Sequence, residues 1–361
     1  MIRVLVVDDS ATARTLLVSL LAAEPDMQVV GEGATGRDAV EMAARLMPDL
    51  ITMDVHMPVM DGLEATKQIM IQTPRPIIIV SSAAKSDEVE LSLEAMRAGA
   101  LMVMAKPQGP SSPAFESERR QFVTMARAMS QVKVVRRHGN VAPNSPYSMN
   151  TPVARTAVPL PARGRSAAGA TPVRLVAIGA STGGPAALRT ILADMPADFP
   201  VPILVVQHIA RGFSAGLADW LSHDTPLRVK LAELGEPAAA GTVYIAPDDR
   251  HLGCQVDDRG EVRLLLDRSP PIGAFRPSAS FLFHSTGESL GAGVLAVILT
   301  GMGDDGVSGL RTLKLQGGRV LAQDESTSVI YGMPREAVRA GVVDTTLPIA
   351  AIARKLVELT A

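Results

Sequence analysis

A chain of 361 residues, 47% hydrophobic and 20% charged, has material for two globular domains, and aromatics at 3% leave Leu, Val, Ile, Ala and Met to fill the cores. A formal net charge of −2 supplies no basic field for phosphate backbones, so no nucleic-acid partner is expected. The single cysteine, Cys254, excludes an internal disulfide and a cysteine-based zinc cluster, and the opening MIRVLVVDD is too short an apolar run for a signal peptide or membrane anchor, so a cytoplasmic chain without direct membrane insertion is expected.

From Ile2 to about Arg137 the runs IRVLVV, MQVVGE, LITMD, PIIIVSS and LMVMAK alternate with helix-length segments such as SATARTLLVSLLAAE and SDEVELSLEAMRAGA. This is the pattern of βα units repeated around a parallel sheet. A last helix, over 115–135, places Phe122, Met125, Met129 and Val132 on one face. Residues 138–172 hold six prolines, no acid and no hydrophobic period, which predicts a flexible linker. The alternation resumes at Val173 with RLVAIG, PILVVQH, RVKLAE, TVYIA, EVRLLL, VLAVILT and GRVLAQ, which predict a larger mixed, mostly parallel sheet. The expected fold is α/β, with two doubly wound parallel-sheet domains at 1–137 and 173–361 joined by the linker at 138–172.

Open α/β sheets keep functional groups at the carboxyl ends of their strands. In the first half those ends carry Asp8 and Asp9, Asp54, Ser81 and Lys106. Any one Asp after a strand is an ordinary helix N-cap, and Ser10 or Asp9 can cap the helix that follows. Three carboxylates converging on one edge repel each other unless a hard cation sits among them, and an oxygen-only donor set suits Mg²⁺. A hydroxyl and an ammonium beside them complete a site for a phosphoryl group.

The blocks VDDS, DVHMPVMDG, VSS and AKP resemble, in order, the signature of a two-component receiver domain over about the first 125 residues. The resemblance implies a flavodoxin-like fold, with Asp54 as phosphoacceptor and Asp8, Asp9 and Asp54 as the Mg²⁺ site. It makes Ser81 and Lys106 the switch hydroxyl and lysine, and the Lys106–Pro107 bond a candidate for cis. The position three before Lys106 is Val103, where receivers often carry a switching aromatic.

In the second half AIGASTGGP, residues 177–185, fits neither G-x-G-x-x-G nor the Walker pattern, and the next strand ends in Gln207 and His208 rather than in the acid that dinucleotide sites use. Read as G-x-S-x-G, it puts Ser181 on a tight strand-to-helix turn with a backbone N–H free to face an oxyanion. A serine so placed needs a base, and His208 closes the next strand on the same edge. His56, His138, His223 and His284 are poorer candidates, and His251 is the one rival. The turn GMGDDG offers Asp304 and Asp305 to orient the imidazole, a choice that chemistry alone leaves open.

The blocks IGASTGG, QH, YIAP, RPS, LFHS, ILTGMGDDG and GMPREA resemble the chemotaxis protein-glutamate methylesterase family, the CheB type, over 173–361, with a Rossmann-like catalytic domain. The resemblance selects Asp305 as the orienting acid beside Ser181 and His208, and makes Thr182 and Met302 active-site residues. It implies a serine hydrolase that demethylates glutamate γ-methyl esters on chemoreceptors, deamidates glutamines in some members, and is switched by phosphorylation from a histidine kinase. It implies no cofactor for the ester reaction.

Overall fold

The computed structural model describes residues 1–82, 86–132, 134 and 171–361. The chain divides into two compact units. The first alternates β1 (Ile2–Val7), α1 (Ala11–Ala22), β2 (Met27–Gly33), α2 (Gly36–Leu46), β3 (Leu50–Met53), α3 (Gly62–Gln72), β4 (Ile77–Ser81), α4 (Ser86–Ala98), β5 (Met102–Ala105) and α5 (Phe115–Met129). Its sheet is parallel in the flavodoxin-like order β2-β1-β3-β4-β5. β3 and β4, LITM and IIIVS, are buried at every position, the continuous apolar run of strands covered on both faces. Register pairs Val7 with Met53 and Ser81 with Ala105, so the residues that follow them emerge along one edge.

The Ser10 hydroxyl, not Asp9, caps α1, accepting the Ala13 N–H at 3.4 Å. α5 stops at Met129, short of the predicted 135, where Ser130 returns its N–H to the Ala126 carbonyl. The Lys106–Pro107 bond is trans, the ordinary preference of such bonds, which corrects the expected cis; among the described residues the cis peptide is Arg276–Pro277. Of the predicted linker at 138–172, residues 138–170 lie outside the described residues.

The rest of the chain runs β6 (Leu175–Ala180), α6 (Gly184–Ala193), β7 (Ile203–Gln207), α7 (Ser214–Ser222), β8 (Arg228–Leu231), β9 (Thr242–Ile245), β10 (His251–Val256), β11 (Val262–Asp267), α8 (Ala279–Leu290), β12 (Val294–Ile298), α9 (Val307–Leu315), β13 (Arg319–Gln323), α10 (Met333–Arg339), β14 (Thr345–Leu347) and α11 (Ile349–Thr360). Its seven-stranded sheet, β14-β13-β12-β6-β7-β9-β8, is parallel throughout. The mixed sheet expected from the sequence is therefore corrected: EVRLLL leaves the sheet and pairs with β10 as a separate antiparallel ribbon. The tight turn between them, in which Asp257 donates its N–H to the Glu261 carbonyl at 2.9 Å, permits only an antiparallel return, since a parallel one needs a long crossover.

The chain winds outward from β6 to β7 on one side and later from β12 to β13 on the other, so the order reverses between β6 and β12. Such a switch point is where open sheets hold their sites. α6 packs with α11, and α8 with α9 and the ribbon. A Cβ on Gly309 would lie 2.1 Å from the Ser280 carbonyl, so α9 rests directly on the first turn of α8.

Candidate active site

β6 ends at Ala180 because the residues after it turn away: Gly183 holds a φ of +77°, open to glycine at little cost, and Pro185 lies in the first turn of α6. Ser181 is the first residue past the strand, its N–H donated to the Thr300 carbonyl at 3.0 Å and its carbonyl accepting the Gly184 N–H at 2.8 Å. A Cβ on Gly184 would sit 1.9 Å from Gln207 Oε1. That close approach lets the buried Gln207 amide donate from Nε2 to both the Ser181 carbonyl, at 2.8 Å, and the His208 carbonyl, at 2.7 Å. Ala180 pairs with Gln207 across β6 and β7. Ser181 and His208 are thus the next residues of two adjacent strands, whose spacing is about 4.8 Å.

His208 Nε2 lies 2.8 Å from Asp305 Oδ2. Both side chains are nearly buried, at 8% and 4% exposure, whereas Asp304 is exposed. Around Asp305 the donors accumulate: Ser278 Oγ at 2.7 Å, Ala279 N–H at 2.7 Å, Ser280 N–H at 3.0 Å and Gly306 N–H at 2.9 Å. Burial by itself raises the Asp305 pKa, but the His208 hydrogen bond and charge, with those of Ser278 and Ser280, outweigh it and hold the carboxyl well below the ordinary range. An ionised Asp305 only accepts, so His208 donates from Nε2. In the neutral form of the ring Nδ1 then carries the lone pair, and among the described residues that atom is buried with no hydrogen-bond partner.

Three of Asp305's partners come from the start of α8, where an anion is favoured by unpaired N–H groups and the helix dipole. The sequence reading missed this role for Ser278. It also missed Phe275, whose ring stacks on the His208 imidazole at 4.0 Å between centroids and 4° between planes. A lone aromatic in a proline-containing loop carries no sequence signal for that contact. The rival His251 is fully buried and committed: its Nδ1 accepts the Ser278 N–H at 3.2 Å and its Nε2 faces the Pro270 carbonyl at 3.2 Å. Thr182 is buried, its carbonyl accepting Thr300 Oγ1 at 2.9 Å, and Met302 is half-buried on the turn that leads to Asp305.

In the first unit Asp8, Asp9 and Asp54 each offer a carboxylate oxygen within 4.8 Å of the others, an oxygen-only set that fits a hard divalent cation. Lys106 Nζ stands 2.9 Å from both Asp8 Oδ2 and Asp54 Oδ2. Burial, with the Asp8 charge added, raises the Asp54 pKa against the pull of Lys106. Burial alone lowers the Lys106 pKa, but its bonds to Asp8 and Asp54 reverse this and the net shift is upward. Ser81 is buried at the end of β4 with its hydroxyl toward Glu88 Oε2 at 3.5 Å, and Val103 is buried in β5.

Among the described residues no helix is long and apolar enough to cross a membrane. Residues 176–356 match the CheB methylesterase family and residues 4–112 the response regulator receiver domain. The chain is 49% identical over 357 residues to protein-glutamate methylesterase/protein-glutamine glutaminase 4 of Myxococcus xanthus (strain DK1622), covering 98% of this chain and 96% of that one. It is 47% identical over 356 residues to protein-glutamate methylesterase/protein-glutamine glutaminase 3 of Anaeromyxobacter dehalogenans (strain 2CP-C), covering 99% and 98%. The crystal structure of the Thermotoga maritima CheB methylesterase catalytic domain, 43% identical, is matched over 52% of this chain and 100% of that one with a TM-score of 0.51. With a receiver domain ahead of a methylesterase domain, and relatives matched over nearly their whole length, the chain belongs to the CheB methylesterase family.

Proposed function

We propose that this protein is a phosphorylation-regulated serine hydrolase of the cytoplasm that removes methanol from glutamate γ-methyl esters, and ammonia from glutamines, on the cytoplasmic regions of methyl-accepting chemoreceptors. The observation that carries the mechanism is the state of His208: Nε2 is held by Asp305 while Nδ1 is buried, unpaired and one strand from Ser181. Ser181 Oγ attacks the ester carbonyl as its proton passes to Nδ1. The tetrahedral intermediate collapses, its methoxy group takes that proton and leaves as methanol, and the γ-glutamyl group remains on Oγ as an ester. Water then repeats the attack with Nδ1 as base, Ser181 recovers its proton, and glutamate is released. Asp305 stays ionised throughout and stabilises the imidazolium. Thr182, next to Ser181, and Met302, on the turn that leads to Asp305, are assigned to supporting the developing oxyanion.

Asp54 is the phosphoacceptor, supplied by a histidine kinase, with Asp8, Asp9 and Asp54 holding Mg²⁺. When bound, that ion offsets the negative charge of the phosphoryl oxygens. Lys106 and Ser81 would supply an ammonium and a hydroxyl to the phosphoryl oxygens. Phosphorylation raises the output of the methylesterase domain by shifting a conformational equilibrium, for which a few kcal/mol suffice.

The test is methanol release from methylated receptor fragments by the full chain and by Ser181→Ala, each with and without acetyl phosphate and Mg²⁺. Release that rises with the phosphodonor and falls on the order of 10⁶-fold in Ser181→Ala is the expected result. Release that survives in Ser181→Ala excludes this nucleophile.

A further inference from the structure

Ser278 stands where two structural demands meet. It is fully buried, and its hydroxyl oxygen accepts the N–H groups of Ser280 at 3.1 Å and Phe281 at 3.4 Å, which makes it the N-cap of α8. The same hydroxyl has one proton, and it donates that proton to Asp305 Oδ1 at 2.7 Å. Its backbone is fixed in turn by His251, whose fully buried ring accepts the Ser278 N–H at 3.2 Å and stacks on Phe281 at 4.8 Å. Oδ1 is the oxygen that does not face His208, and the Ser278 hydroxyl joins the Ser280 and Gly306 N–H groups on it as the shortest of the three bonds, so it contributes to the rotation of the carboxylate and with it the aim of Oδ2.

We propose that Ser278 is a positioning residue of the hydrolytic site, its hydroxyl locking the carboxylate of Asp305 so that Oδ2 points at His208 Nε2. The inference rests on the serine-hydrolase reading above. An N-cap requirement alone is met by Ser, Thr, Asn, Asp or Gly. The Asp305 contact requires a side-chain donor as well, which Asp and Gly do not supply.

Full-length variants separate the two demands. Ser278→Gly preserves most of the capping stability, because glycine is nearly as good a cap as serine, but removes the donor. It is expected to lower kcat about 10- to 100-fold, the range for losing a hydrogen bond to a charged group. KM should stay within about twofold, and Tm should fall by several degrees because the buried bond to Asp305 goes with the hydroxyl, the fold remaining intact. Ser278→Thr and Ser278→Val crowd the site equally and differ in the hydroxyl, so Thr should turn over at least about tenfold faster than Val. Equal rates in Thr and Val, or a wild-type kcat in Ser278→Gly, overturn the proposal. Ser181→Ala in the same methanol assay keeps the two readings apart. If it is inactive while Ser278→Gly is unimpaired, only the positioning role fails; if it retains activity, the hydrolase reading fails first.

Discussion

Replacing Asp305 with asparagine keeps the shape of the side chain and exchanges one acceptor for a donor. The structure decides which oxygen is exchanged. An NH₂ at Oδ1 would face three donors, Ser278 Oγ and the N–H groups of Ser280 and Gly306, and the two backbone groups cannot turn away. An NH₂ at Oδ2 faces the Ala279 N–H and His208 Nε2. Of those two, the imidazole can adapt by moving its proton to Nδ1. The second orientation therefore wins, and the adaptation removes the lone pair that Ser181 needs. The wrong tautomer costs about 10⁴ in kcat in serine triads of other folds, equivalent to about 5.5 kcal/mol of activation free energy. The opposed Ala279 N–H, buried without an acceptor, costs a further ~1–3 kcal/mol of folding stability.

The assay is steady-state methanol release with the phosphodonor present, alongside a thermal melt. Asp305→Asn is expected to fold, melt several degrees lower, and turn over about 10⁴-fold more slowly with KM little changed. Asp304→Asn, at the exposed neighbour, should match the wild type in both measurements. A loss of tenfold or less in Asp305→Asn, or an equal loss in Asp304→Asn, refutes the orientation argument.

The low pKa of Asp305 also sets a pH dependence. A carboxylate depressed in the folded state stabilises the fold above its unfolded pKa of about 4 and loses that stabilisation as pH falls through the folded value, so the Tm gap between wild type and Asp305→Asn should narrow in melts below about pH 4. Gly184→Ala drives a methyl into Gln207 Oε1 and so disturbs the amide that ties Ser181 to His208; a loss of ~1–3 kcal/mol in a denaturant titration and at least about tenfold in kcat are expected, and a neutral outcome would show that Gln207 can move freely. Asp54→Asn removes a buried carboxylate whose pKa is raised, so at pH 7 without divalent cations the receiver's Tm should rise, while phosphodonor stimulation of methanol release should vanish. Val59 is exposed with a φ of +70°, a conformation that costs a β-branched residue ~1–2 kcal/mol, so Val59→Gly should raise the receiver's Tm even after glycine's entropic penalty.

Much of this architecture was legible because strand ends in an open sheet are positions that can be counted from sequence. IRVLVV, LITMD and LMVMAK predict that Asp8, Asp54 and Lys106 leave the sheet at one edge, where Lys106 Nζ stands 2.9 Å from each carboxylate. EVRLLL was legible as a strand but is read from the sequence into the main sheet, since its actual partner HLGCQV hides its apolar positions among His, Gly, Cys and Gln. The choice between Asp304 and Asp305 was not open to chemical reading either. Two identical acids in one turn differ only in what folds over them, and the groups that cover Asp305 come from the start of α8, 25 to 27 positions earlier in the chain. The S of RPSAS announces a helix start and nothing more.

The two units put aspartates at the same kind of place and use them in opposite ways. In the first, carboxylates crowd together with a single lysine between Asp8 and Asp54, and burial with mutual repulsion raises the Asp54 pKa. An incoming cation and an electrophilic phosphoryl group both relieve that excess of negative charge, so the edge is poised to accept them. In the second, one carboxylate meets five donors and its pKa is depressed. It has no negative charge left unbalanced with which to take a proton from His208, and so it can orient the imidazole and stabilise its cation without becoming the base. On the proposed roles, the difference between a phosphoacceptor and a spectator anion thus lies in the count of donors around each aspartate, which the tertiary fold supplies and which no stretch of sequence near Asp54 or Asp305 spells out.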